Sequence, residues 1–258
     1  MVCQGVFLIA QAQQNPRPKG NRDKPQSNAA KAAKRYKLTI QAGDVVGVSL
    51  KADEARLSDI GNELSKSLKT RVVLGPSMEK ELITVEFYDL TFEQATRLLA
   101  PHVYVDYEIR AGASPKPVGI FLFGENDPAP AGNAVVSGDA QALMIEGNTE
   151  DPTETSSSAA QDDPLQVELN GNALTVKSRK QPLAAVIMTI AEVLDVPAEL
   201  KYDAREIVDT EIKETAYEDA IPRLSPNIRL YVRADLSRVE KKPLRLVLVA
   251  PPDKPATQ

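Results

Sequence analysis

The chain has 258 residues, 42% hydrophobic and 26% charged, with a formal net charge of -5 at pH 7. That length and apolar content allow one large or two small packed domains and exclude a wholly disordered polypeptide. With five Phe, seven Tyr and no Trp the cores must be mainly aliphatic, and a single Cys excludes an internal disulfide.

Charge is spread unevenly along the chain. Residues 15–37 are strongly basic, whereas residues 125–171 contain acids and no Lys or Arg. At the start, "VCQGVFLIAQAQQ" has an apolar run from Val6 to Ala10, followed by Ala10-Gln11-Ala12, a pattern resembling a signal-peptidase site. It lacks a positively charged beginning. Residues 1–13, which include Cys3, are therefore read as a secretory signal whose start lies outside this numbering. The run is too short to span a bilayer, which needs about 20 apolar residues, and no later segment qualifies. Residues 14–37 read as a flexible basic tether, a solvated tail rather than a membrane-surface or nucleic-acid binder.

From residue 38 onward the chain reads as two copies of one unit. "VSLKADEARLSDIGNEL" from Val48 lies over "LTVKSRKQPLAAVIMTI" from Leu174, 126 positions later. "EKELITVEF" from Glu79 lies over "AREIVDTEI" from Ala204, and "FEQATRLLAPHV" from Phe92 over "YEDAIPRLSPNI" from Tyr217, both at a shift of 125. The shift returns to 126 where "KPVGIFL" from Lys116 meets "KPLRLVL" from Lys242. Length changes confined to loops are what a duplicated fold tolerates.

Within each copy the periodicities alternate. Val48–Ala52 and Leu174–Ser178 read as strands. Leu57, Ile60, Leu64 and Leu68 recur at helical steps, as do Leu183, Val186, Ile190 and Leu194. Short strands "RVVL" and "AELK" follow, and then Ile83, Val85 and Phe87 alternate with polar residues, as do Val208, Thr210 and Ile212. A second helix opens on a capping-box pattern in both copies, Thr91 with Gln94 and Thr215 with Glu218. Pro222 removes a donor inside the second of these helices, which is expected to be short or kinked. Strands near Val103–Ile109 and Val118–Phe123, matched by Ile228–Arg233 and Leu244–Val249, close each unit.

The fold class predicted is α+β. It comprises two small β-α-β-β-α-β-β domains, residues 38–124 and 172–250, each with two helices packed on a small mixed sheet and each expected to fold independently. Residues 125–171, rich in Pro, Gly, Ser and acids, read as a disordered acidic linker in which only "ALMIE" invites local docking, and residues 251–258 as a tail.

The last strand of each copy yields the candidate binding residues. In "PVGIFLF", Val118, Ile120 and Leu122 form one face, yet Phe121 and Phe123 make the other apolar too, and Val247 and Val249 repeat this more weakly. Two apolar faces require two covers. Either the protein's own elements supply the second, or Phe121, Phe123, Val247 and Val249 form an exposed patch for a partner, accepted in part by strand addition at the sheet edge.

The run "SLKADEARLSDIGNELSKSLKTRVVL", then "ITVEFYDLTFEQATRLL", then a Tyr-containing strand resembles the short N-terminal domain shared by secretins and TonB-dependent receptors, the STN domain. Leu57, Leu64, Phe92, Glu93, Ala95 and Leu99 occupy its pattern in copy one, and Pro182, Leu183, Ile190, Tyr217, Glu218, Ala220 and Leu224 in copy two. The match covers about 160 residues, and its motifs are hydrophobic patterns without a chemical signature. Where a Gly is common after the first helix, this chain has Lys69-Thr70 and Asp195-Val196, so those helix ends are expected to close differently. These 258 residues contain neither a pore nor a barrel sequence, so the module's role is expected to carry over and the parent proteins' is not. The resemblance implies a periplasmic module that binds other envelope proteins.

Chemistry-bearing patterns are missing. The sequence has no Gly-rich phosphate loop, nucleophile elbow or Cys/His cluster of metal type, and one His with one Cys cannot make a zinc site. "NDPAPAGN" and "TEDPTE" lack calcium-loop spacing. The single histidine, His102, falls on Asn227 in the other copy, which a polar turn position tolerates and a general base does not. No cofactor, metal or catalytic residue is assigned. The expectation is a non-enzymatic adaptor of a secretion, pilus or outer-membrane receptor assembly, with envelope proteins as partners, no nucleic acid and no membrane span. A signalling module toward an anti-sigma partner is the alternative within the same fold, and a hydrolase using unrecognised carboxylates is the alternative outside it.

Overall fold

The computed structural model describes residues 34–41, 46–132, 164–202, 204–238 and 240–251. The signal segment, most of the basic tether, "ALMIE" and the tail from residue 252 lie outside the described residues.

The first half contains β1 (Tyr36–Gln41), β2 (Gly47–Arg56), α1 (Leu57–Leu68), β3 (Arg71–Leu74), β4 (Leu82–Thr91), α2 (Phe92–Arg97), β5 (His102–Ile109) and β6 (Lys116–Phe123). The second repeats this order: β7 (Leu165–Asn170), β8 (Ala173–Pro182), α3 (Leu183–Val193), β9 (Ala198–Leu200), β10 (Ile207–Ala216), α4 (Tyr217–Leu224), β11 (Ile228–Asp235) and β12 (Glu240–Leu248). Each half opens with one strand more than its hydrophobic pattern announced. β1 and β7 hairpin onto β2 and β8 as edge strands with one half-buried face, a weak signal beside that of an interior strand.

The two halves share backbone irregularities as well as elements. Among the described residues, the non-glycine positions with left-handed φ are Glu54, Lys69, Asp89, Lys180, Asp195 and Glu214. They form three pairs at repeat positions, Glu54 with Lys180, Lys69 with Asp195, and Asp89 with Glu214. Register shifts recur in step too, between Asp106 and Tyr107 in β5 and between Tyr231 and Val232 in β11.

Both first helices bury residues of the anticipated stripe, Leu57, Ile60 and Leu64 in α1 and Leu183, Val186 and Ile190 in α3, where Ile187 is buried as well. Their C-termini close as a glycine-capped helix would. Lys69 and Asp195 take φ of 52° and 53°, and the amides of Thr70 and Val196 donate back to the carbonyls of Ser65 and Ala191. The expectation of a different closure is therefore corrected: the turn geometry persists without its glycine.

The capping box forms in one copy only. Thr91 Oγ1 accepts from the Gln94 amide at 3.3 Å and Gln94 Oε1 accepts from the Thr91 amide at 3.1 Å. In α4 the N-cap is Ala216, the Thr215 hydroxyl donates to the Lys213 carbonyl, and Glu218 pairs with Lys241. The anticipated Thr215–Glu218 box is thus corrected. The shift of 125 places Ala216, which has no side-chain acceptor, on Thr91. Pro222 is buried within α4, which is eight residues long.

The strands form three sheets, β1-β2-β4, β10-β8-β7, and a six-stranded sheet in the order β3-β6-β5-β11-β12-β9. The fold is α+β, but the expected pair of separate small mixed sheets is corrected. β5 and β11 pair antiparallel from Tyr104↔Asp235 to Ile109↔Leu230 and join the halves into one sheet. Two cores lie on one face of it, beneath the helices. One gathers Leu50, Leu57, Ile60, Val103, Val105 and Ile120, and the other Val176, Leu183, Ile190, Ile228, Leu230 and Leu246. Each core also takes a residue from its neighbour's strand, Ala234 in the first and Ile109 in the second.

The acidic linker is corrected at both ends. Leu165–Asn170 is strand β7. After β6, the Asp127 carboxylate accepts from the Gly124 amide at 2.8 Å and from the Ser77 hydroxyl at 2.7 Å, tying the chain back to the loop before β4. The approach is close enough that a Cβ on Gly75 would lie 2.1 Å from Asp127 Oδ2.

Candidate functional site

Side chains alternate across a strand, so the residues between the core positions of β5, β6, β11 and β12 emerge on the other face of the six-stranded sheet. Among the described residues no helix covers that face, and its two ends differ. At one end Arg233 of β11 meets Asp106 of β5 through a fork, Nε to Oδ1 at 2.7 Å and Nη2 to Oδ2 at 2.9 Å, with both side chains buried. Arg233 Nη1 donates to the carbonyls of Pro130 and Ala131 at 2.8 and 2.9 Å, so the chain leaving β6 folds over this end. The guanidinium lies 4.6 Å above the Phe121 ring, which packs edge-on against Phe123, itself edge-on to Tyr104. Burial holds the Asp106 carboxyl above its ordinary range, against the pull of Arg233.

Of the two alternatives for Phe121, Phe123, Val247 and Val249, this arrangement excludes the exposed patch for the phenylalanines and supports cover by the protein's own elements. Phe121 is 2% exposed, Phe123 9% and Val247 3%. The second cover of the two phenylalanines comes from within the chain: an arginine of the sister half and the turn after β6. Val247 and the half-buried Val249 do reach the open end, where they form part of its floor.

That open end is a groove of about 380 Å³ crossing all six strands. Its central row runs Glu108, Tyr231, Arg245, directly opposite one another on β5, β11 and β12. Arg229 donates to Glu108 at 2.6 Å, and Arg110 binds the same oxygen. Burial raises the Glu108 carboxyl, but its hydrogen bonds from Arg110 and Arg229 together outweigh that effect and hold it below the ordinary value. Arg245 pairs with Glu199 at 3.1 Å and lies 4.3 Å above the Tyr231 ring. Burial pushes the Tyr231 hydroxyl up, so it stays protonated. Around this floor stand Lys69 and Arg71 at the start of β3, Lys116 at the start of β6, and Lys201 after β9. These four make no side-chain hydrogen bond or ion pair among the described residues.

Seven cations thus face two carboxylates in a protein whose net charge is negative. The groove can attract and hold an anionic group. Proton transfer by Glu108 is disfavoured, because two arginines keep its carboxylate ionised. Sequence reasoning missed these residues, since they sit at strand ends far apart in the chain and none belongs to a recognisable motif. The one signal was Arg245, the charged member of an otherwise apolar strand face.

His102 is the first residue of β5, opposite Phe123, and is half-buried with no hydrogen bond or ion pair among the described residues. It is thus a strand residue rather than a turn residue. Its counterpart Asn227 is buried, with Nδ2 3.4 Å from both the Tyr202 hydroxyl and Glu206 Oε1. Among the described residues no three His, Cys, Asp or Glu side chains gather as a metal site would require, and no helix is long and apolar enough to cross a membrane.

Comparison of the chain with protein-family models, with curated proteins and with solved structures finds no match. The resemblance to the STN domain accordingly rests on the residues quoted for it.

Proposed function

We propose that this protein is a non-enzymatic interaction module of the bacterial envelope, built from two STN-like copies and acting as an adaptor in a secretion, pilus or receptor assembly in the periplasm. The observation that carries the binding reading is the groove. Among the described residues a sheet face six strands wide has no helical cover, while the same face is closed at its other end by a buried ion pair and a turn. A surface kept open beside a closed one, and lined by four cations without partners among the described residues, is built to meet another molecule. Support for the envelope setting comes from the export-like N-terminal sequence and the STN-like hydrophobic pattern in both copies.

Affinity capture from an envelope extract with the full chain, compared with an Arg71→Glu/Lys116→Glu variant, tests the reading. One or more envelope proteins should be retained by the wild type and lost by the variant. Equal retention by both, or none by either, would remove the groove as the binding surface.

A further inference from the structure

We propose that the groove binds an extended acidic peptide segment of a partner protein, laid across the strands with its carboxylates gathered over the β3–β6 end. The proposal rests on the interaction reading above and adds the chemistry and polarity of what binds.

Charge locates the acidic end. Lys69, Arg71 and Lys116 stand together where β3 and β6 begin, and Lys201 stands alone at the β9 end. Between them the floor is largely neutralised, with Arg229 and Arg110 sharing Glu108 and Arg245 paired with Glu199, three cations against two carboxylates. Unanswered positive charge therefore lies at the two ends and mostly at one. A ligand with charge on every unit, such as a polyphosphate backbone, would lie against the Glu108 and Glu199 carboxylates at the centre. A peptide can place its carboxylates at the ends and its backbone amides over these two acceptors.

Stacking argues the same way. Binding of single-stranded nucleic acid relies on aromatic faces open to bases, and the aromatic side chain of this floor, Tyr231, has one face covered by Arg245. The remaining floor, Pro117, Val118, Val247 and Val249, is apolar and suits aliphatic side chains between acidic ones. The length fits as well. Five interstrand spacings of about 4.8 Å make the groove about 24 Å long, room for about seven extended residues at about 3.4 Å each.

The test uses the full chain and labelled eight-residue peptides of alternating Glu-Val, Lys-Val and Ser-Val, with oligo(dT) as a fourth probe, read by fluorescence anisotropy. The Glu-Val peptide should bind at low salt and weaken at least about tenfold as the Debye length contracts from about 30 Å toward 8 Å. Arg71→Glu/Lys116→Glu should weaken it by a similar factor, the milder Lys69→Gln/Lys116→Gln should weaken it less, and at physiological salt Lys37→Glu on β1, in another sheet, should leave it unchanged. Thermal unfolding of each variant separates lost binding from lost fold. Binding of Glu-Val unaffected by either groove variant, or tighter binding of oligo(dT), overturns the proposal. If the Ser-Val or Lys-Val peptide binds the groove instead, the acidic assignment fails while the interaction reading stands; if no probe binds, both fail. Should Glu-Val bind only after the acids between residues 139 and 163 are replaced by amides, the occupant is this chain's own acidic stretch and the partner assignment is overturned.

Discussion

Val232 lies directly opposite Tyr107 in the seam between β5 and β11, and the two are the same position of the repeat, 125 residues apart. A strand paired antiparallel with its own copy about such a point is related to it by a local two-fold axis. The side chains break that symmetry. Asp106 faces Arg233 on one side of the axis, and the equivalent positions on the other side are Tyr231 and Glu108. One end of the sheet face therefore closes on a buried ion pair, while the other stays open as the basic groove.

Removing Arg233 should be among the most damaging single changes. Arg233→Ala leaves Asp106 buried without its partner and frees two backbone carbonyls, and breaking a buried pair in this way costs about 3–5 kcal/mol. Urea unfolding should show that loss. An Asp106→Leu/Arg233→Met double variant should recover a large part of it, because both charges are then gone. A single variant as stable as wild type would mean that the turn after β6 is not held by this residue.

Glu108 carries a pH signature. Its folded-state value lies below the ordinary 4.5, so its stabilising contribution is present above about that pH and is lost as pH falls through the lower folded value. At pH 7 Glu108→Gln should lose about 1.5–3 kcal/mol, the worth of a hydrogen bond to a charged acceptor. The gap between wild type and variant should narrow steadily below pH 4.5. A gap that stays constant to pH 3 would show that the arginines do not favour the ionised form.

The joined sheet makes a prediction about the halves. Residues 34–132 and 164–251, produced separately, should each unfold at a lower temperature than the whole chain. Each would expose a seam strand as an edge and lose core residues supplied by the other half, Ala234 and Leu236 from the first and Ile109 from the second. Mixed together, they should associate in sedimentation experiments. Fragments that melt at the temperature of the parent and stay monomeric when mixed would restore the view of two independent domains.

Asp195 tests the cost of the glycine-free helix end. It is exposed and holds φ of 53° where a side chain is disfavoured by about 1–2 kcal/mol. Asp195→Gly relieves this strain but adds freedom to the unfolded chain, so a net gain of about 0.5–1 kcal/mol in chemical denaturation is expected. A loss of stability would show that the carboxylate makes a contact worth more than the strain.

Local order was legible in the sequence because it depends on near neighbours. The spacing of Leu57, Ile60 and Leu64, the alternation of Ile83, Val85 and Phe87, and the Thr91–Gln94 box each act within one element, and each formed where its pattern stood. The duplication was legible for the same reason, since two copies of a local pattern repeat their spacing. What lay beyond the sequence was every relationship made across the seam. Nothing in "YVDYEIR" or "RLYVRAD" announces that Asp106 will meet Arg233, or that Phe121 will be covered by a residue of the other half, because both strands read alike whether they stand at an edge or pair with each other. The groove belongs to the same category. Lys69, Lys116 and Lys201 are ordinary exposed lysines in their own segments; the pairing of β3 with β6 brings the first two together, and only the pairing of β5 with β11 adds Lys201 to the same groove.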